Sequence, residues 1–352
     1  MRVAISLLTL VPGISGGSET YARELTRALA RIGELEYEAL VPTLAPEAGG
    51  GLPTTVAADY PASSTTTGRL RAMGGATVRP GSLGRSLEAF DAVHYPLTVP
   101  VPRTRRPAIT TLLDVQHLDL PQMFSRGERL FRRIAYDRAA HRAQRVVVIS
   151  NWVRERVIER LRLPPDRVRA IHLGVDHERF LPDTSVAREP FLLYPARPWP
   201  HKNHTRLYQA VSLVRQAHPE LTLVLTGAGH DSASLPDGVV SKGDVPLAAR
   251  VDLYRRAQLV VFPSLYEGFG LPPLEAMACG CPVAASDTGS LPEVCGDAAE
   301  LFDPTDPAAI AAGISAALAR ADELSAAGLR RAAGFTWEAT ARAHDSVYRE
   351  LA

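Results

Sequence analysis

One stretch constrains the fold of this chain more than any other: residues 259–283, LVVFPSLYEGFGLPPLEAMACGCPV. Its first four residues are apolar and closed by Pro263, which reads as a short buried strand. The loop 265–270 follows, with Gly268 and Gly270 on either side of Phe269. Pro272 and Pro273 suit the first turn of a helix, where a missing N–H loses no hydrogen bond. That helix continues through 274–279 and stops at Gly280 and Pro282, and 283–285 begins another strand. Strand, loop, helix, strand is the grammar of an open parallel sheet, so an α/β fold is expected.

The chemistry of this unit sits where the loop meets the helix. A helix start offers free N–H groups and the positive end of a dipole, which suits phosphate, and Gly268 and Gly270 let a ligand approach the backbone. Glu267 and Glu275 flank that position with seven residues between them. Carboxylates repel phosphate, so their partners are expected to be sugar hydroxyls, and the composition points to a sugar joined to a phosphate. A plainer alternative makes Glu275 a first-turn glutamate that favours the dipole, and Glu267 a solvated loop residue.

The same grammar recurs along the chain. Residues 3–8 read as a buried strand, 11–17 (VPGISGG) as a glycine-rich loop, and 19–30 as an amphipathic helix capped by Ser18. This second glycine loop lacks the G-x-G-x-x-G spacing, which argues against a dinucleotide site. Residues 42–84 are rich in Gly, Pro, Ser, Thr and Ala, and read as short strands and surface loops, weakly helical near Leu70. Strands follow at 92–95, 109–113, 146–149 and 167–171, with a helix at 152–162 capped by Ser150 and Asn151. After a linker at 176–190 the pattern restarts: strand 191–195, helix 204–216, strand 221–226, strand 239–244, helix 247–256. Two alanine-rich helices, 308–318 and 321–333, precede a last helix opening at Phe335-Thr-Trp-Glu.

At 352 residues, two domains are expected. Lysine occurs only at Lys202 and Lys242, so a lysine stands out against the arginine background. Charge is uneven: residues 1–182 hold 25 Arg against 18 acids, and the remainder 14 Lys and Arg against 20 acids. The basic half, above all the arginine-rich segment 126–145 with Leu130, Ile134 and Tyr136 on its apolar side, suits either an anionic membrane surface or plain solvation. Cys279, Cys281 and Cys295 read as small reduced core residues, in keeping with a cytoplasmic setting. The apolar start, residues 1–10, reads as a first strand and not as a signal peptide, and no window is long and apolar enough to span a membrane.

The run from Glu267 to Val283, E-G-F-G-L-P-P-L-E-A-M-A-C-G-C-P-V, resembles the E-x7-E signature of retaining nucleotide-sugar glycosyltransferases of family 4 (group 1). The resemblance implies the GT-B fold: two facing Rossmann-like domains with parallel sheets, and a C-terminal helix crossing back to the first domain. The implied domains are 1–178 for the acceptor, 179–335 for the nucleotide sugar, and 336–352 for the helix packing on the first. By the same resemblance Arg197 and Lys202 hold the donor diphosphate, as an Arg fork and a Lys point charge near a helix start are suited to do. Glu275 would bind ribose hydroxyls and Glu267 those of the donor sugar, within a donor site that includes Gly268, Phe269, Gly270 and Leu271. Gly16 and Gly17 would meet the phosphates or the acceptor, and residues 239–244 the base. Ser290 and Glu293 match a family loop near the donor phosphates. Relatives usually read H-D-x-x-H where this chain has Leu113, Asp114 and His117, so the first histidine is replaced by leucine. Asp114 and His117 are retained as catalytic candidates beside Glu267.

The function so implied is transfer of a hexose of mannose, glucose or rhamnose type from a GDP- or UDP-sugar to a lipid-linked or polysaccharide glycan. No cofactor, no metal and no nucleic-acid partner is expected, and the setting is the cytoplasm or the inner membrane face. Two further readings stay open: a sugar-nucleotide epimerase of the same fold, and a glycan- or nucleotide-binding protein without turnover.

Overall fold

The computed structural model describes residues 1–13, 16–78 and 81–351. The chain divides into two compact units: Met1–Gly174 with Trp337–Ala352, and Val175–Thr336.

In the first unit seven parallel strands, β1 (Arg2–Ser6), β2 (Glu36–Val41), β3 (Thr54–Val56), β4 (Ala92–Tyr95), β5 (Ala108–Thr111), β6 (Arg145–Val148) and β7 (Val168–Ala170), form one sheet in the order β3-β2-β1-β4-β5-β6-β7. In the second, six strands, β8 (Glu189–Pro195), β9 (Thr222–Thr226), β10 (Val239–Ser241), β11 (Ala257–Phe262), β12 (Val283–Ser286) and β13 (Glu300–Phe302), are ordered β10-β9-β8-β11-β12-β13. All registered pairs are parallel. Such sheets are covered on both faces, which is why their strands read as continuous apolar runs; Leu259, Val260, Val261 and Phe262 are all fully buried. In each sheet the winding reverses once, between β1 and β4 and between β8 and β11. The crevice outside the carboxyl ends of such a strand pair is where open α/β sheets bind ligands.

The helix Trp337–Arg349 belongs to the first unit and packs on the helix Gly17–Ile32. A buried polar network holds it there. The Tyr21 hydroxyl lies 2.8 Å from Thr111 Oγ1 and 2.9 Å from His344 Nε2. His94 joins Thr111 Oγ1 and the Tyr348 hydroxyl, each at 2.8 Å. Asp345 accepts from the Tyr37 hydroxyl and, at 3.0 Å, from the Glu34 N–H. Burial pushes His344 down to about 4 and His94 well below its usual range, so both rings are neutral. A neutral ring has one donor and one acceptor, and each of these rings uses both nitrogens: His344 Nδ1 lies 2.8 Å from Thr340 O.

Several local expectations are corrected. Among its described residues, the stretch 42–84 contains one strand, Thr54–Val56, and is then helical over Thr66–Val78 and into the helix Gly81–Leu87, far beyond the weak helix near Leu70. Strand β2 is not among the strands expected above, although the alternation of charged and apolar residues that opens EYEALV is itself the pattern of a half-buried strand. The first helix starts at Gly17 and its cap position is Gly16, not Ser18; Gly16 has a φ of 50°, a conformation open to glycine. Within the expected glycine loop 11–17, Ile14 and Ser15 lie outside the described residues. Ser150 alone caps the helix Asn151–Leu161, accepting from the Val153 N–H at 3.1 Å. The three cysteines are buried and unpaired, and burial pushes their thiols up to about 12. Among the described residues no helix is long and apolar enough to cross a membrane.

Candidate active site

The site is assembled from the two segments that leave the switch-point strands of the second unit. β8 runs into residues 196–203, which carry Arg197 and Lys202; β11 runs into residues 263–270, which carry Glu267. Because β8 and β11 are neighbours, with Leu259 opposite Leu192 and Val260 opposite Leu193, residues 65 positions apart come together. The Lys202 ammonium donates to Glu267 Oε1 at 2.5 Å and sits 5.2 Å above the Phe262 ring. Their side chains are 13% and 12% exposed, so this ion pair is largely withdrawn from solvent.

The backbone beneath the pair is held at many points. Tyr194 donates to Lys202 O at 2.7 Å, and the Leu265 N–H to His201 O at 2.8 Å, tying the two loops together. Asn203, with a φ of 61°, donates from Nδ2 to Pro263 O at 3.0 Å and to Pro304 O at 2.7 Å. Ser290 Oγ lies 2.7 Å from Phe269 O and 3.0 Å from Glu267 O, and its N–H reaches Glu267 O at 3.2 Å. Gly289 has a φ of +67°, and a Cβ there would come within 2.9 Å of Glu267 O, so only glycine lets the two strands of loop approach. Gly227, with a φ of +111°, is slightly less tight: a Cβ there would lie 3.1 Å from the Arg197 backbone nitrogen. Phe269 is buried edge-on against Phe335.

Gly270, with a φ of 108°, caps the helix Leu271–Ala278. Pro272 and Pro273 fall in its first turn as their chemistry requires, and the N–H groups at this helix start are those of Gly270 and Leu271. Glu275 is in the second turn, which removes the first-turn alternative for it. It is 5% exposed and turned onto the neighbouring helix Leu247–Arg256. There Tyr254 donates to Oε2 at 2.9 Å, and an Arg250 nitrogen lies 3.7 Å from Oε1. Burial raises the Glu275 carboxyl above the ordinary carboxylate range, while Arg250 and the Tyr254 hydroxyl pull it part of the way back. Arg250 and Tyr254 were missed from sequence. Their i,i+4 spacing beside an apolar stripe was the available signal.

The remaining candidates belong to the first unit. Gly16 and Gly17 open its first helix, where the Glu19 carboxylate already accepts the Gly13 N–H at 2.8 Å. Asp114 follows β5 and accepts from the Gln116 N–H at 3.0 Å and from Arg132 at 3.3 Å. His117 is 2% exposed, bonded through Nε2 to Asp137 at 3.0 Å, and edge-on to Tyr136. Its Nδ1 is buried without a hydrogen-bond partner. Past the carboxyl end of β1 lies a small, partly open hollow, with enclosed room for about one water molecule, lined by residues 8–11, Tyr60, Ala62, Ser63, Arg69 and Met73.

Residues 15–179 match the family model described as Glycosyltransferase Family 4, and residues 179–331 the one described as Glycosyl transferases group 1. Among known proteins, the chain is 29% identical to the O-antigen chain mannosyltransferase B of Escherichia coli over 70% of this chain and 71% of that one. It is 30% identical to a D-inositol 3-phosphate glycosyltransferase of Thermobispora bispora over 68% of this chain and 63% of the relative. With the serotype-specific mannosyltransferase WbdA of Escherichia coli it shares 32% identity over 61% of its own length but 30% of the relative's. Among solved structures, sucrose-phosphate synthase from Thermosynechococcus elongatus superposes with a TM-score of 0.78 at 22% identity, over 100% of this chain and 99% of that one. Anabaena Alr3699/HepE in complex with UDP-glucose gives 0.74 at 18%, over 99% of this chain and 100% of the other.

Proposed function

Since the chain belongs to the group 1 glycosyltransferases and has their GT-B fold, we propose that it moves a hexose from a nucleotide diphosphate sugar to an acceptor hydroxyl with retention at the anomeric carbon. The donor is a GDP- or UDP-hexose of mannose, glucose or rhamnose type, and the acceptor a lipid-linked or polysaccharide glycan. Donor binding is assigned to the unit Val175–Thr336 and acceptor binding to the other.

The observation that carries this reading is the Lys202–Glu267 pair at the β8/β11 switch point, beside the Gly270 and Leu271 amides. Lys202, Arg197 and those amides stabilise the charge that develops on the leaving diphosphate, in a site where fixed donors act more strongly than in water. Glu267 takes hydroxyls of the transferred sugar. Its pairing with Lys202 fixes the distance between the sugar-binding carboxylate and the diphosphate-binding cation. Glu275 takes the ribose hydroxyls, with Arg250 and Tyr254 orienting its carboxylate. Departure and attack occur on one face of the sugar, and the leaving phosphate receives the acceptor proton. The cations and amides on the protein meet the diphosphate charge, so no metal is required.

The test is transfer from GDP-mannose, UDP-glucose and UDP-rhamnose to glycan acceptors, with the product's anomeric configuration read by NMR and each assay repeated with EDTA. Retention unaffected by EDTA is expected. An inverted product, EDTA-sensitive turnover, or isomerised sugar nucleotide without transfer would each overturn the corresponding part of the reading.

A further inference from the structure

The helical segment from Arg126 to Arg142, roughly 25 Å long, has two contrasting faces. The inner face is packed and largely paired, although Arg129 Nε is buried without a hydrogen-bond partner. Arg132 pairs with Asp114 and lies over the Phe124 and Tyr136 rings, Asp137 bonds His117, and Ala139 and Ala140 are buried. The π turn at Arg133–Asp137 brings Tyr136 and Asp137 onto this side.

The outer face is Arg126, Leu130, Arg133, Ile134, Arg138 and Arg142, a run at helical spacing in which every member is exposed. Leu130 is 59% and Ile134 47% exposed. Elsewhere on this unit several arginines find carboxylates: Arg145 and Arg169 share Glu350, and Arg156 and Arg160 share Asp119. On the outer face no arginine pairs with an acid among the described residues. The exposed acid of this helix, Glu128, is engaged in the capping box with Ser125. Arg103, on the loop before β5, adds a further cation; burial and its nearness to Arg142 and Arg138 lower its pKa, as expected for a cluster of like charges without a counterion.

We propose that this face docks on an anionic phospholipid bilayer, the arginines meeting headgroup phosphates while Leu130 and Ile134 enter the interface between headgroups and acyl chains. Cations alone would suit any polyanion. Two large aliphatic side chains set among them are what a bilayer accommodates and a nucleic-acid backbone does not.

The test is flotation of the full chain with phosphatidylcholine vesicles, with and without phosphatidylglycerol. Binding to the anionic vesicles alone is expected, weakening as salt rises. Each arginine replaced by glutamine, at 126, 133, 138 or 142, is expected to lower the partition coefficient about fivefold. Leu130→Ser with Ile134→Ser is expected to lower it further at unchanged charge. These variants should keep the wild-type melting temperature and its shift with UDP and GDP, because none lies in the donor site. Failure to bind anionic vesicles, equal binding to neutral ones, or wild-type binding by the variants overturns the proposal. So does duplex DNA binding as tight as vesicle binding and indifferent to Leu130 and Ile134. Each of these results leaves the proposed glycosyl transfer standing.

Discussion

The two units wind their sheets the same way, yet their switch points are furnished differently. At β8/β11 two short loops are fastened together by hydrogen bonds and carry a desolvated ion pair. At β1/β4 the loop after β1 borders a small, mainly apolar hollow whose one cation, the Arg69 guanidinium, makes no side-chain hydrogen bond or ion pair among the described residues. A shared topology therefore fixes where a ligand approaches, while the loops decide which ligand it is. The rigid, charged crevice suits a diphosphate of constant shape. On the function proposed above, the crevice at β1/β4 is left to the acceptor.

Four experiments would break or sharpen that contrast. The largest effect is expected from Lys202→Ala, which removes the cation nearest Glu267; kcat should fall about 100-fold or more, by analogy with loss of one oxyanion donor. Turnover within a few-fold of wild type would remove the charged crevice from the chemistry. Next comes pH. His344 has its pKa depressed to about 4 by burial, so the unfolded chain binds a proton between pH 6.5 and 4 that the folded unit refuses. Stability of the first unit should thus be full above about pH 6.5 and fall by up to roughly 3 kcal/mol as pH drops towards 4, with His94 adding to it. Glu275, raised by burial, acts in the opposite direction: its contribution is full below the usual carboxylate range and is lost as pH rises through its folded value. Hydrogen exchange should therefore show the helix Trp337–Arg349 losing protection in acid before the helix Leu271–Ala278. The reverse order would refute the assignment of neutral buried histidines.

Gly289→Ala should destabilise by about 1–3 kcal/mol, since it combines a left-handed φ with a Cβ driven against Glu267. Gly13→Ala in the first unit has a φ of +74° but nothing within 4 Å, so only the conformational cost of about 1 kcal/mol remains. Equal losses in thermal melts would show that the two loops are equally tight. The smallest change is expected from Ser290→Ala, about 1 kcal/mol in stability with a raised donor KM, because one hydroxyl is lost while the Ser290 N–H still holds Glu267 O. An unchanged KM would mean that this hydroxyl does not set the loop.

The alternation of strands and helices was legible because buried parallel strands are apolar runs closed by Gly and Pro; the strand Ala92–Tyr95 and the helix Leu247–Arg256 stand where the pattern puts them. Residues 42–84 were not, because Thr, Gly, Ser and Ala carry little periodicity: of the helix Thr66–Val78 only Ala72 is buried among the described side chains. The two glutamates and Lys202 were visible as candidates from sequence. Their mutual arrangement was not, since it depends on β8 and β11 lying side by side, which no local spacing encodes. The same limit hid Arg250 and Tyr254 behind Glu275. It also hid Asp137, which makes His117 a buried, engaged ring.

The first unit closes only with the last helix, so the polypeptide leaves it at Gly174 and re-enters at Trp337, and the two crossings lie side by side where the Val175 N–H meets Phe335 O at 3.1 Å. The second unit is thus an insertion within the first. A stop codon placed after the second sheet would deprive Tyr21, His94 and Tyr37 of His344, Tyr348 and Asp345, so a truncation aimed at the tail would be felt at strands laid down three hundred residues earlier.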